Sequence, residues 1–237
     1  MRNTLIAVLM LAAAPPALAK DVDIEPGAVQ SAFDAVAEDL VAAIDYKAVG
    51  PAEATGIAGF GIGVVATYVP VDEADWNNVT GSDFGEIGMV GLQASKGLPF
   101  GIDLGLFYAS APGSNVDVMG GEIRYAFLEG GAATPAVAVR LAHVVVSGID
   151  DFDLDSTSLD LSVSKGFGPF TPYAGIGYVQ GAADPDPSFG LDKAEVEETK
   201  LFVGARLSLG IIEFTPQFDQ VGDASSYSLR MGFSFGL

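Results

Sequence analysis

Few residues in this chain stand out for their chemistry. His143 is the only histidine, and imidazole is the side chain best suited to general base work near neutral pH. It shares the alternating position of Val137, Val139 and Leu141, however, and so falls on an apolar face rather than in an enclosed site. The bland reading is an amphipathic residue in an interfacial ring. Asp150, Asp151, Asp153 and Asp155 form the sharpest acidic cluster. Alternating carboxylates suit the oxygen-rich shell that Ca²⁺ takes, but the Gly-centred loop and terminal Glu of an EF-hand are missing. Weak Ca²⁺ or Mg²⁺ binding is the most this stretch supports. Gly232-Phe233-Ser234-Phe235-Gly236 matches the Gly-x-Ser-x-Gly string of serine hydrolases. That chemistry needs a strand-to-helix elbow and a later histidine; here the string lies inside a predicted strand and His143 precedes it. With no Walker motif, zinc-type cluster or dinucleotide fingerprint, no cofactor is expected.

The larger constellation is ionic. Arg124, Arg140, Lys200, Arg206 and Arg230 fall on the same strand parity as Asp103, Glu122, Asp160, Glu213 and Asp219, and the two sets balance. Such a set would line a narrow pore and tune its selectivity, or form a closed, salt-bridged interior. Buried charges must pair to be tolerated, and a small barrel is little wider inside than its side chains require, so the closed interior is preferred. Gly59, Gly61, Gly63, Gly101, Gly105, Gly175 and Gly177 share that parity and leave room for a helix or a small solute.

The elements that would position these residues are strands. Hydrophobic residues make up 49% of the chain and charged ones only 18%, yet no stretch approaches the roughly 20 apolar residues of a membrane-spanning helix. A barrel resolves this, because its lipid face is apolar only at alternate positions. Strands are predicted at 55–69, 86–96, 99–110, 116–128, 134–147, 156–167, 170–181, 196–209, 211–220 and 225–237. Leu201, Val203, Ala205, Leu207 and Leu209 oppose Lys200, Gly204, Arg206 and Ser208, with Phe202 out of step. Connections 70–85, 148–155 and 182–195 are long and acidic, whereas those at 97–98, 166–169 and 210 are tight. Outer-membrane barrels sort long external loops from short periplasmic turns in this way. The expected fold is therefore all-β: a closed antiparallel transmembrane barrel of about ten strands, with eight or twelve as alternatives. An even count leaves both chain termini expected on the periplasmic side.

Two segments precede the barrel. Residues 1–19 read as a signal peptide, with Arg2, an apolar run from Leu5 to Leu11, and Ala17-Leu18-Ala19 before the cleavage point. In residues 20–54, Val29, Phe33, Val36, Leu40 and Ile44 recur at helical spacing after Pro26. This amphipathic helix is a cap on the barrel floor or a plug inside it. The cap is preferred, because the stripe is apolar and the interior charged. The barrel itself takes 55–237. The chain contains no Cys, so no lipid anchor or disulfide is available.

The Lys165-Gly166 turn with Thr171-Pro172-Tyr173-Ala174-Gly175-Ile176-Gly177 resembles the hairpins of small, uncharacterised proteobacterial outer-membrane barrel proteins. The closing stretch with Tyr227, Phe233, Phe235 and Leu237 resembles their C-terminal assembly signal, with Leu237 where such chains usually end in Phe. The resemblance implies export, outer-membrane insertion by the barrel-assembly machinery, and contact with outer-membrane lipid and lipopolysaccharide. The expected role is non-enzymatic: structural, surface-interacting, or a narrow conduit for small or apolar solutes. Two alternatives stay open. One is a rim hydrolase, protease or lipid A-modifying, using His143 and acidic loop residues; the other is a soluble periplasmic lipid-binding β-protein. The formal charge of −20 and the absence of a basic patch exclude nucleic acid as a partner.

Overall fold

A computed structural model describes residues 22–47, 49–82, 85–131 and 133–235. The signal-peptide reading of 1–19, and Leu237 of the assembly signal, lie outside these residues. Ten strands follow one another round a closed antiparallel barrel: β1 Phe60–Pro70, β2 Glu86–Gly97, β3 Ile102–Ser110, β4 Asp117–Glu129, β5 Ala136–Ser147, β6 Phe152–Ser164, β7 Phe170–Pro185, β8 Ala194–Leu209, β9 Ile212–Val221 and β10 Ala224–Phe235. The seam pairs β1 with β10, from Phe60 opposite Phe235 to Tyr68 opposite Tyr227. Stacked Phe60 and Phe235 rings, 4.9 Å apart, hold its lower end. Closure leaves no strand edge unpaired, as a barrel in hydrocarbon requires.

The strands run between two unlike ends. At the turn rim, short connections join β2 to β3, β4 to β5, β6 to β7 and β8 to β9. At the loop rim, residues 71–85 carry a helix, Glu73–Thr80, and 186–193 form the other long connection. Several expected boundaries move. The first strand begins at Phe60 rather than 55, because 55–59 turn the incoming chain toward it. β6 starts at Phe152 rather than 156, and β7 and β8 reach Pro185 and Ala194. Here alternation runs on through acidic residues: Phe152 and Leu154 are buried while Asp153 and Asp155 face out. Acids that read as loop are the outward face of strand tops.

The outer wall is apolar. Leu92, Leu106, Leu141, Leu159, Leu161, Ile176, Leu201, Val203 and Met231 all lie exposed on it. Tyr68, Tyr108, Tyr178 and Tyr227 stand toward the loop rim; Phe60, Tyr125, Phe127, Phe170 and Phe235 stand toward the turn rim. An apolar belt between two aromatic girdles is a surface for hydrocarbon, not water.

The N-terminal segment departs most from expectation. It is a plug, not a cap. Helix α1, Gln30–Ile44, is rich in alanine, a strong helix former, and buries Phe33, Val36, Leu40, Val41 and Ile44 inside the barrel. Val29 of the expected stripe precedes the helix and is exposed. The physical reason is that the lumen is not charged throughout. Its loop-rim half is lined by Val65, Val69, Met89, Val118, Val144, Phe152, Leu154, Val179, Val196 and Val221, which form one core with α1. The second helix, α2 (Glu73–Thr80), closes over this core. It is capped by Asp72 at its start and by Gly81 in the left-handed region at its end, and it buries Trp76 against α1.

The strand count places the start of β1 and the end of β10 together at the turn rim. The described chain nevertheless begins at the other end. Ile24 N–H donates to Asp151 Oδ2 at 2.7 Å, and Glu25 N–H to the Val79 carbonyl at 2.7 Å. Gln30 and Asp192 exchange two hydrogen bonds, of 2.7 and 3.0 Å. All three partners belong to loop-rim connections, so the described chain starts at the loop rim and ends, with β10, at the turn rim.

Candidate functional site

The site that gathers the singular residues is the lumen with its plug. Below α1 the chain continues as Asp45-Tyr46-Lys47, all fully buried at mid-depth. Lys47 turns back to donate to the Ala42 carbonyl at 2.6 Å, placing a cation on the helix C-terminus. Tyr46 packs edge-on against Phe107 of β3, 5.9 Å between centroids, and accepts from Gln93 of β2. Gly105 makes room for it: a Cβ there would press into the Tyr46 hydroxyl and into Glu122. Gly181 clears the same kind of space for Val41.

Plug and wall are fastened by ions. Lys200 Nζ of β8 lies 2.6 Å from Asp45, 3.4 Å from Asp160 of β6, and donates to the Tyr46 carbonyl at 3.2 Å. Asp160 also meets Arg140 at 3.2 Å, and Arg140 meets Glu122 at 2.8 Å. Nearer the turn rim, Arg124 pairs with Asp103 at 2.6 Å and donates to the carbonyls of Pro51 and Glu53. Asp103 accepts from the Thr55 backbone in turn. Arg206 pairs with Glu53 at 2.6 Å, and Glu213 lies between Arg206 and Arg230. Asp219 accepts from Gln217 at 2.8 Å. Each charge thus finds counter-charge or hydrogen bonds, the condition for tolerating ions out of water. All ten expected lumen residues point inward.

Side chains missed by sequence reading complete the set: Asp45, Lys47 and Glu53 come from the plug, and Tyr46 and Thr55 lie beside them. The available signal was the Asp45-Tyr46-Lys47 triplet directly after the apolar stripe. A cap on the floor would have left those charges in water.

Little space is left. Arg124, Arg140, Arg206 and Arg230 all line a cavity of about 60 Å³ with Glu53, Glu122 and Glu213, room for a few waters. A second void of about 30 Å³ lies between α1 and the β2–β6 side of the wall, against Trp76, Ile87 and Met89. Neither accommodates a solute of any size.

The remaining candidates do not assemble. His143 is exposed on the outer wall, with Nδ1 2.9 Å from Thr157 Oγ1. The nearby carboxylate, Glu122, turns inward to Arg140. Asp151 is held by Ile24, while Asp153 and Asp155 face outward from β6. Among the described residues no group of three or more His, Cys, Asp or Glu is placed to hold a metal ion. Ser234 donates to Glu213 at 2.6 Å within β10, with no elbow about it. Tyr227, Phe233 and Phe235 lie on the outer face of that strand.

No family model matches the sequence, and no curated protein does. Among solved structures the chain is similar to the N-terminal β-barrel domain of Pseudomonas aeruginosa OprF, at 15% identity and TM-score 0.41, over 76% of this chain and 99% of that one. It is also similar to the outer membrane protein OprG from Pseudomonas aeruginosa, at 11% identity and TM-score 0.39, over 81% and 100% of the two chains. A third is LpxR from Salmonella typhimurium, at 12% identity and TM-score 0.37, over 62% of this chain and 72% of that one. At these identities and TM-scores the fold rests on the strand pairing described above, not on the likenesses.

Proposed function

We propose that this is a non-enzymatic outer-membrane barrel whose lumen is closed and whose contacts are made at the loop rim. The observation that carries the reading is the plug: residues 22–55 fill the barrel from rim to rim and are ion-paired to its wall at two depths. The apolar belt and its girdles seat the wall in hydrocarbon, which a soluble lipid-binding protein would not need. In such barrels long loops face outward and tight turns face the periplasm. The loop rim then lies at the cell surface, where Asp72, Glu73 and Asp75 on α2 and Asp150, Asp153 and Asp155 near β6 make it acidic. An acidic rim suits contact with lipopolysaccharide phosphates through bridging divalent cations, and with basic surfaces of other molecules. Insertion falls to the barrel-assembly machinery, which reads the outward aromatics of β10.

The test is conductance in planar bilayers. The intact protein is expected to give no steady channel, and a variant lacking 27–47 to conduct. Steady ion flow through the intact protein would overturn the closed-lumen reading. Absence of protease and lipid A hydrolysis by the assembled protein is expected, and any hydrolysis lost in His143→Ala would favour the rim-hydrolase alternative instead.

A further inference from the structure

The placement of residues 22–59 has a mechanistic implication. The segment is anchored at the loop rim by Ile24, Glu25 and Gln30, descends as α1, and continues through Asp45, Glu53 and Thr55 to the turn rim. There 56–59 reverse it into β1: Gly59 N–H donates to the Gly56 carbonyl, and Gly97 N–H of β2 to the Gly59 carbonyl. The fifteen residues of α1 rise about 22 Å through the loop-rim half of the lumen, and 45–55 continue through the other half. Among the described residues this segment therefore runs within the lumen from one rim to the other.

We propose that the barrel carries its own N-terminal segment across the outer membrane, so that the stretch from Asp23 to Val29 stands at the cell surface. The inference rests on the orientation given above, with the loop rim outward. An exported chain arrives from the periplasm, so every residue from 22 to 47 starts on that side. Two routes lead to the observed state: threading through a finished barrel, or entry before the seam closes. The finished barrel blocks the first, because α2 and Trp76 lie over the loop-rim core. The second follows from the connectivity. The plug, 22–55, and β1 are the arms of one hairpin joined by 56–59, so α1 enters with β1 and is enclosed when β1 pairs with β10. Burial of Phe33, Val36, Leu40, Val41 and Ile44 against the wall supplies the driving force.

Single cysteines test this cleanly, since the native chain has none. Val29→Cys and Pro26→Cys lie at the exposed loop-rim end, and Ile57→Cys at the exposed turn-rim end. Each is treated in whole cells with a membrane-impermeant maleimide, before and after outer-membrane permeabilisation. Outer-membrane fractionation and heat-modifiable migration confirm that each variant is assembled. Positions 29 and 26 are expected to label equally in both conditions, a ratio near one, and position 57 only after permeabilisation. A short epitope inserted directly ahead of Val22 should likewise bind antibody on intact cells. Assembled protein that labels at 57 on intact cells and at 29 only after permeabilisation would show the opposite orientation and sink the proposal. Assembled protein that labels at both 29 and 57 only after permeabilisation would show that the segment never crossed. Protein absent from the outer membrane altogether would instead refute the functional reading on which the proposal rests.

Discussion

Lys200 on the wall and Asp45 on the plug meet at 2.6 Å, with neither side chain open to solvent. Removing one partner strands the other in the interior. Lys200→Met should therefore destabilise the folded barrel by about 3–5 kcal/mol, read as a lower urea midpoint in detergent. Adding Asp45→Leu should recover most of that loss, because Asp160 keeps Arg140 as its partner. Additive losses in the double variant would mean that the pair is not coupled.

Trp76 is the only tryptophan and donates to Asp39 of α1 at 2.8 Å, so its fluorescence reports on the plug. Asp39→Ala removes this acceptor and should lower the urea midpoint of Trp76 fluorescence, by about 1–2 kcal/mol in stability. A midpoint equal to that of the native protein would show that the bond does not hold the plug to α2.

Exposed leucines on the wall distinguish lipid from water. Leu201 is 54% exposed, and in water Leu201→Arg would be nearly neutral. In a bilayer it should cost about 2–4 kcal/mol at mid-depth. The check is the folded fraction after refolding into liposomes, where equal yields for the variant and the native protein would speak against hydrocarbon contact.

On the inner face, two aromatic rings lie over two glycines. Phe202 covers Gly175 and Tyr173 covers Gly204, across the β7–β8 pair. A Cβ on Gly175 collides with the Phe202 ring. Gly175→Ala should lose about 1–3 kcal/mol from overpacking, and Phe202→Leu should restore part of it. A Gly175→Ala protein as stable as the native one would show that the ring is free to move aside.

Two-residue alternation made the wall legible from sequence. It carried the strand count, and it assigned Arg140, Asp160 and Lys200 to one face, since hydrocarbon on the other excludes charge. The phase slip at Phe202 has its explanation in the inward ring over Gly175. The strand tops were less legible, because Asp153 and Asp155 look like loop although Phe152 and Leu154 keep the period. The plug was misjudged for a different reason. An apolar helix stripe fits a floor and an apolar half-lumen equally well, and periodicity is silent on which surface receives it. Only the pairing of Asp45 with Lys200 and of Glu53 with Arg206, far apart in the chain, decides the matter.

The stopper and the first stave of this barrel are one piece of chain, joined by the four residues 56–59. A stopper on so short a leash never escapes into bulk solution, because its effective concentration at the vacated seat stays in the range set by the tether rather than by dilution. Loosening stays local, since α2 and Trp76 lie over one end and the leash holds the other, so the stopper shifts in its seat and resettles without leaving the barrel. Weakening its bonds should produce brief flickers of leakage, whereas lasting leakage requires the leash itself to be cut.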